Sequence, residues 1–400
     1  MLNAEVERAK GRSMIDLNNF IKSFEQTASD VLESFAEILV GKSESLRDGT
    51  EYSPVELPRD LAAHRNAQTE WWYYTGHCTT QTARQFGFEL VFFKRRTDLD
   101  KFNLVPLRLF GNPLYFAHFA ITDITKGKFS YAHRKSANGL MDFPAAASEE
   151  RFFIQIGDWS ARESFDYHIL RASMDDLTLE ATLKPLKPAV LNGKNQDGIS
   201  FKDVGQASRY FSYTRMQVEG FLNEAGKAIP FSGSAWMDRE FGTWTPTEKQ
   251  KGWDWFSIQL ENNSELMCYQ LRDSQNNVSE YSCGTWIPNN TGTSHFLSND
   301  DFTIEVLDFW KSPQTNAKYP SGWRIKVPKF DIDLEIHPFI KNQELDTRGT
   351  TMIVYWEGAC KVTGTPSNGK AYVELVGYDR SHESPNLAYF LMGNEFVRKP

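Results

Sequence analysis

Residues 69–78 read TEWWYYTGHC, one carboxylate followed by four consecutive aromatic side chains. In an extended chain successive side chains alternate faces, so Glu70, Trp72 and Tyr74 share one face and Trp71, Tyr73 and Thr75 the other. Both faces carry large rings, and neither suits a water-facing exterior. One is expected to line a cavity and the other to pack beneath it. Glu70 needs a separate account, because a carboxylate beside so much apolar surface must be paired, protonated or put to use.

The same period of two continues downstream in FGFELVFFKRR (86–96), YFAHFAITDIT (115–125), RFFIQIGDW (151–159), LTLEATLKP (177–185) and MQVEGFLN (216–223). It resumes in WDWFSIQLE (253–261), ELMCYQLRD (265–273), FTIEVLDFW (302–310), MIVYWEGACKVTG (352–364) and AYVELVGY (371–378). Gly-, Pro-, Asn- and Asp-rich clusters separate these runs and no helical period intervenes, which excludes an α/β parallel sheet. The pattern predicts a mainly β chain of two tandem antiparallel barrels or sandwiches. The polar stretch PTEKQKG marks the break, giving an N-terminal helix and linker over 1–60, a first β domain over 61–245 and a second over 246–400.

Residues 14–40 differ. Met14, Leu17, Ile21, Phe24, Ala28, Val31, Phe35 and Ile38 recur at spacings of three and four, which predicts one amphipathic helix. It offers a peripheral membrane or protein contact. Its polar face carries Asp16, Glu25, Asp30, Glu33 and Glu37 against Lys22, so docking on protein is favoured over anionic lipid.

A formal charge of −8 argues against a nucleic-acid partner. The N-terminal residues mix charges and show no apolar core of a secretory signal, and the four cysteines form no C-x-x-C pair. The expected location is cytoplasmic or peripheral to a membrane, with reduced thiols. Signatures for P-loops, dinucleotide binding, serine elbows and H-E-x-x-H zinc sites are missing. DIDLEIH (331–337) places Asp331, Asp333, Glu335 and His337 on one strand face, read as a solvated polar face rather than a metal site. No cofactor or metal is expected.

The densest reactive cluster is WMDREFGTW (236–244), where Asp238, Arg239 and Glu240 sit between Trp236 and Phe241. Two acids around an arginine, ringed by aromatics, can form a carboxylate pair with one raised pKa; the same spacing also suits a structural ion pair at a domain junction. Glu70 can serve as partner to Arg239 or as a reserve acid. In WDWFSIQL, Trp253 and Trp255 share a face that Asp254 leaves. Tyr269 lies on the next strand, and His118 alternates with Phe116 and Ala120.

Seven stretches in order, HRNAQTEWWYYTGH, FGFELVFFKRR, YFAHFAITD, RYFSYTRMQVEG, SGSAWMDREFGTW, GWDWFSIQL and YWEGACKVTG with AYVELVGY, resemble the carotenoid 1,2-hydratase/AttH-like group of lipocalin-like proteins over about residues 62 to 380. The resemblance implies two calycin-like barrels in tandem, a ligand site near their junction, and cofactor-free chemistry on an isoprenoid, carotenoid or polyene. Arg239 and Phe241 stand where the hydratase branch carries His and Trp, and Leu271 where it carries Asp, so the match is nearer the AttH-like branch. The reading is an acid–base enzyme of the hydratase, cyclase or isomerase kind. Asp238 and Glu240 serve as proton donor and acceptor, Arg239 tunes them, Tyr269 and His118 assist, and Trp71, Trp72, Tyr74, Trp236, Phe241, Trp253 and Trp255 form the pocket. A lipocalin-type carrier of a pigment or lipid, and a scaffold acting through helix 14–40, are the alternatives.

Overall fold

The computed structural model describes residues 53–97, 101–102, 105–106, 111–136, 143–243, 250–273, 275–289 and 292–379. The expected helix over 14–40 lies outside them. Strands dominate, and the helices among the described residues are short turns such as Arg59–Leu61 and Asn299–Asp301, none long and apolar enough to cross a membrane.

Two antiparallel sheets, strongly curled into a barrel and a half-barrel, carry the chain, as the period of two predicts. The first runs from Lys128–Ser136 through Leu114–Asp123, Gln85–Arg95, Thr69–Thr80, Lys227–Gly242 and Gln206–Glu224 to Leu177–Pro185, and ends at Ala145–Ala147. Its edges are brought together by Arg134, which donates to the Ile156 carbonyl (3.3 Å) and lies 4.3 Å over the Trp159 ring. The second centres on Gln250–Leu260, flanked by Glu265–Asp273 and Gly369–Val376, and continues through Val354–Thr365 and Ile332–Pro338. In that last strand Ile332, Leu334 and Ile336 are buried while Asp333 pairs with Arg324 at 2.7 Å. The solvated polar face expected there is present.

The long strands Gln206–Glu224 and Lys227–Gly242 meet through Ala225 and Gly226, both at positive φ, in the two-residue turn that suits strand twist. A bulge between Tyr213 and Met216 reverses the alternation of the first of them. Phe211 faces the barrel interior before it, and Met216, Val218 and Leu222 do so after it. Tyr210 is thereby left on the outer face, against the second sheet.

The larger apolar clusters follow from this arrangement. Trp72, Tyr74, Phe88, Trp159 and Phe241 belong to the first interior, Trp323, Ile325 and Trp356 to the second. The third lies between the sheets and joins Tyr73, Tyr210 and Trp236 to Trp255, Tyr269 and Tyr372. Thr69–Thr80 is therefore buried on both sides. Gly87 lies at a close approach of the sheets: a Cβ there would lie 2.5 Å from the Tyr372 hydroxyl and 2.8 Å from Ala359 Cβ.

Strand alternation separates Arg239 from its neighbours. Arg239 and Phe241 turn into the first interior, opposite Asp238 and Glu240, which corrects the expectation that Arg239 tunes those two acids. Arg239 instead meets Glu70 at 2.5 Å, donates to the Ala62 carbonyl at 2.7 Å, and stacks 3.9 Å over Trp72. Glu70 also accepts from Lys94 (2.6 Å) and the His64 amide (3.0 Å). The expected Glu70–Arg239 pair is thus real, and it pins residues 61–64 to the sheet. Phe241 stacks on the His64 ring at 3.7 Å.

Burial alone would raise the Glu70 carboxyl, but Arg239, His64 and Lys94 outweigh it and hold the group at about 2 against an ordinary 4.5. A carboxyl lowered in the folded state contributes stability that is present above its unfolded pKa and is lost as pH falls towards the folded one. Glu70→Gln leaves two buried cations without their counter-charge and is expected to lower stability by about 3–5 kcal/mol near neutrality. Its unfolding free energy should also lose part of the wild-type decline between pH 4.5 and 2, measurable by urea titration at several pH values. Gly87→Ala should cost about 1–3 kcal/mol through overpacking between the sheets. The added substitution Ala359→Gly should return part of it in thermal unfolding.

Candidate active site

The site follows from register. On the first sheet's outer face, paired positions run in three rows across the strands. One holds Tyr210, Glu240, Trp71 and Phe93; the next Ser212, Asp238, Tyr73, Val91, His118 and His133; the third Trp236, Thr75, Glu89 and Ala120. The second sheet answers with Cys283, Tyr269, Trp255, Glu374 and Glu357 in one row. Thus five carboxyls, those of Glu89, Asp238, Glu240 and Glu357 buried and that of Glu374 half-buried, come to one junction lined with rings; Glu357 and Asp238, for example, are 1% and 3% exposed.

Asp238 accepts three hydrogen bonds, from Tyr210 (2.5 Å), Ser212 (2.5 Å) and the Trp236 indole (2.6 Å). Trp255 donates in turn to the Tyr210 hydroxyl at 3.1 Å, tying the second sheet to this acid. All three donors to Asp238 are neutral. Burial therefore prevails over them and pushes the carboxyl up to about 7, with the nearby Glu240 adding to the rise. Glu240 is different, forming an ion pair with Lys202 at 2.9 Å and accepting from Ser208. One acid holds a proton near neutrality, while its neighbour two residues on has a cation.

The other three carboxyls have no ion-pair partner among the described residues. Burial raises Glu374 to about 7, although Trp253 donates to it at 2.8 Å. Burial likewise raises Glu89 and Glu357, each with a single phenol as donor: Tyr355 at 3.1 Å and Tyr73 at 2.7 Å. Glu357 and Glu374 sit directly opposite one another across neighbouring strands, a pairing that two charges would make unfavourable. The Oε2 atoms of Glu89 and Glu357 are buried with no hydrogen-bond partner. The junction thus stores protons beside the faces of Tyr73, Trp236 and Trp255, which suits proton transfer to and from an apolar substrate and stabilisation of a cationic intermediate.

Of the sequence candidates, Asp238, Glu240, Trp236, Trp255, Tyr269 and His118 meet at this junction, with Trp71 and Trp253 half-buried at its margin. Tyr269 bonds to Ser200 at 2.9 Å, and His118 to Tyr355 at 2.8 Å. Glu70, Arg239, Trp72, Tyr74 and Phe241 do not, since all lie on the interior side of the first sheet. Glu89, Glu357 and Glu374, with Tyr73, Tyr210, Tyr355 and Lys202, join the site although they stand outside the sequence motifs that mark it. Their signal was present: FELV, WEGA and VELV each set one Glu inside an apolar strand. A shallow cleft lined by His77, Ser234, Trp236, Ser257, Gln259 and Tyr372 opens beside the junction.

An AttH from Nitrosomonas europaea shares the fold with a TM-score of 0.73 at 30% identity, over 82% of this chain and 99% of that protein. Kievitone hydratase from Nectria haematococca superposes with a TM-score of 0.63 at 15% identity, over 83% of this chain and 97% of its own, a likeness of fold. The dehydratase asqC of Emericella nidulans is 24% identical over 214 residues, which are 50% of this chain and 57% of the dehydratase, so the match spans little more than half of that relative. Residues 48–378 match the AttH-like family, and the chain belongs to it.

Proposed function

We propose that the chain is a cofactor-independent acid–base enzyme that adds or removes water on a lipophilic substrate bound between the two sheets. The observation that carries this reading is the junction of five carboxyls, four buried and one half-buried, four of them with no cation partner among the described residues, beside aromatic faces. A carrier of an apolar ligand needs the rings but not the acids, whose burial costs free energy. The likeness to a protein named a dehydratase, and a fold shared with a named hydratase, support the same class of reaction. A polyene or isoprenoid is the finer part of the proposal, because protonating an alkene calls for a strong acid and a cation-stabilising wall. The assignment of domains to 61–245 and 246–400, with the substrate between them, belongs to the same reading.

In this scheme Asp238 donates the proton, held in place by Tyr210, Ser212 and Trp236. Glu240, paired with Lys202, accepts a proton from water in hydration and returns one in the reverse sense. Tyr73, Trp236 and Trp255 face the developing positive charge.

The test begins with apolar molecules that copurify with the protein from its native host, followed by mass spectrometry for gain or loss of one water on incubation. Asp238→Asn should lower turnover by roughly 10²–10⁴-fold with the fold intact by circular dichroism. Because the donor must carry its proton, wild-type kcat/KM should fall above about pH 7, where Asp238 ionises. Wild-type turnover in both Asp238→Asn and Glu240→Gln would remove these residues from the chemistry.

A further inference from the structure

When acid and base are different residues, each turnover leaves the acid empty, and a buried acid must be recharged from solvent. We infer that a hydrogen-bonded chain running His133, Thr350, His118, Tyr355, Glu89 is a proton path between solvent and Glu89, one of the junction acids. The inference rests on the acid–base reading above.

The links are close and continuous. His133 Nδ1 lies 2.9 Å from the Thr350 hydroxyl, which lies 3.2 Å from His118 Nε2. His118 Nδ1 lies 2.8 Å from the Tyr355 hydroxyl, which donates to Glu89 Oε1 at 3.1 Å. Each of its four links crosses between the sheets, since His133, His118 and Glu89 belong to the first, and Thr350 and Tyr355 to the segment feeding and forming Val354–Thr365 of the second. His133, on the edge strand Lys128–Ser136, is half-buried, whereas Thr350, His118, Tyr355 and Glu89 are buried.

One set of hydrogen positions satisfies every link in one direction. His133 Nδ1–H donates to Thr350, Thr350 to His118 Nε2, His118 Nδ1–H to Tyr355, and Tyr355 to Glu89. A proton taken from a hydronium ion or buffer acid at the other nitrogen of His133 then releases its Nδ1 proton to Thr350. Each group passes on its own hydrogen, and the phenol proton of Tyr355 bonds to Glu89 Oε1. One proton enters, one arrives, and no group between keeps a charge. The opposite oxygen of Glu89 is the atom without a partner, so the carboxyl can receive on one side and present on the other. The Thr350 hydroxyl also reaches the Thr347 carbonyl at 3.1 Å, and so has two acceptors between which to swing.

The surroundings favour relay over storage. Burial lowers His118 well below its ordinary range, with His133 adding to it, and raises the Tyr355 phenol, so both stay neutral. Around His133 burial outweighs the pull of Asp346, and Lys135 opposes a lasting positive charge.

The experiment reads exchange without substrate, so its failure leaves the proposed reaction standing, and a missing turnover leaves the path standing. The infrared carbonyl stretch of protonated Glu89, identified by its loss in Glu89→Gln, shifts when the protein is mixed into D2O. Tyr355→Phe and His118→Phe should slow that shift by about tenfold or more, because exchange must then wait for local opening. Thr350→Val should slow it and Thr350→Ser should restore it, a pair that stands should the ring variants fold poorly. Tyr74→Phe, which removes a buried phenol on the opposite side of the sheet, should leave the rate unchanged. The path is overturned if Glu89→Gln removes no band, if Thr350→Val exchanges at the wild-type rate, or if Tyr74→Phe slows exchange equally.

Discussion

A carboxyl enclosed between two layers of β-structure lowers its free energy either by taking a cation or by keeping its proton. Both solutions occur here on opposite faces of the same strands. Inside the first barrel Glu70 has Arg239 and Lys94 within 2.6 Å and is held at about 2. On the outer face Asp238, one residue from Arg239, has only neutral donors and is raised to about 7. The difference is set by which way a side chain points, since a strand side chain cannot reach a partner through its own sheet. Burial on both faces of Thr69–Thr80 and of residues 235–242 is the condition for everything else.

That condition explains what could be read from the residues alone. Alternation and aromatic content are local properties, so the β class and the doubly buried strand at 69–78 are legible. So is the Glu70–Arg239 pair, because an acid among rings and an arginine among rings each demand a partner. Proximity in sequence misleads in the opposite way. Asp238, Arg239 and Glu240 look like one cluster, yet the middle residue belongs to a different environment. Trp72 and Tyr74 likewise go to the barrel interior, although Tyr73 between them reaches Glu357 at 2.7 Å.

The rest of the site was hidden because it is assembled across strands. Glu89 and Glu357 are 268 residues apart by their numbers, and register alone gathers them at one junction. Tyr210 was further disguised by the bulge between Tyr213 and Met216, which inverts the face rule halfway along its strand. A solitary Glu within an apolar strand is ambiguous until one knows whether the face opposite it carries a cation. Here three such residues meet each other, and the proton becomes the means by which they coexist.

Stability and function therefore pull apart at this interface. A close-packed seam of apolar residues would hold the sheets together more firmly than buried acids whose second oxygens lack partners. Exclusion of water favours the neutral form of Glu89, Glu357 and Glu374, and the apolar substrate proposed above calls for the same exclusion, so one feature of the junction serves both parts of that proposal. Exclusion of water also closes the ordinary route by which a carboxyl regains a proton. A site of this design needs a way for protons to pass through the protein, and the side chains that offer one, Thr350 and Tyr355 from the second sheet's side and His118 and His133 from the first, are available only where the two sheets meet.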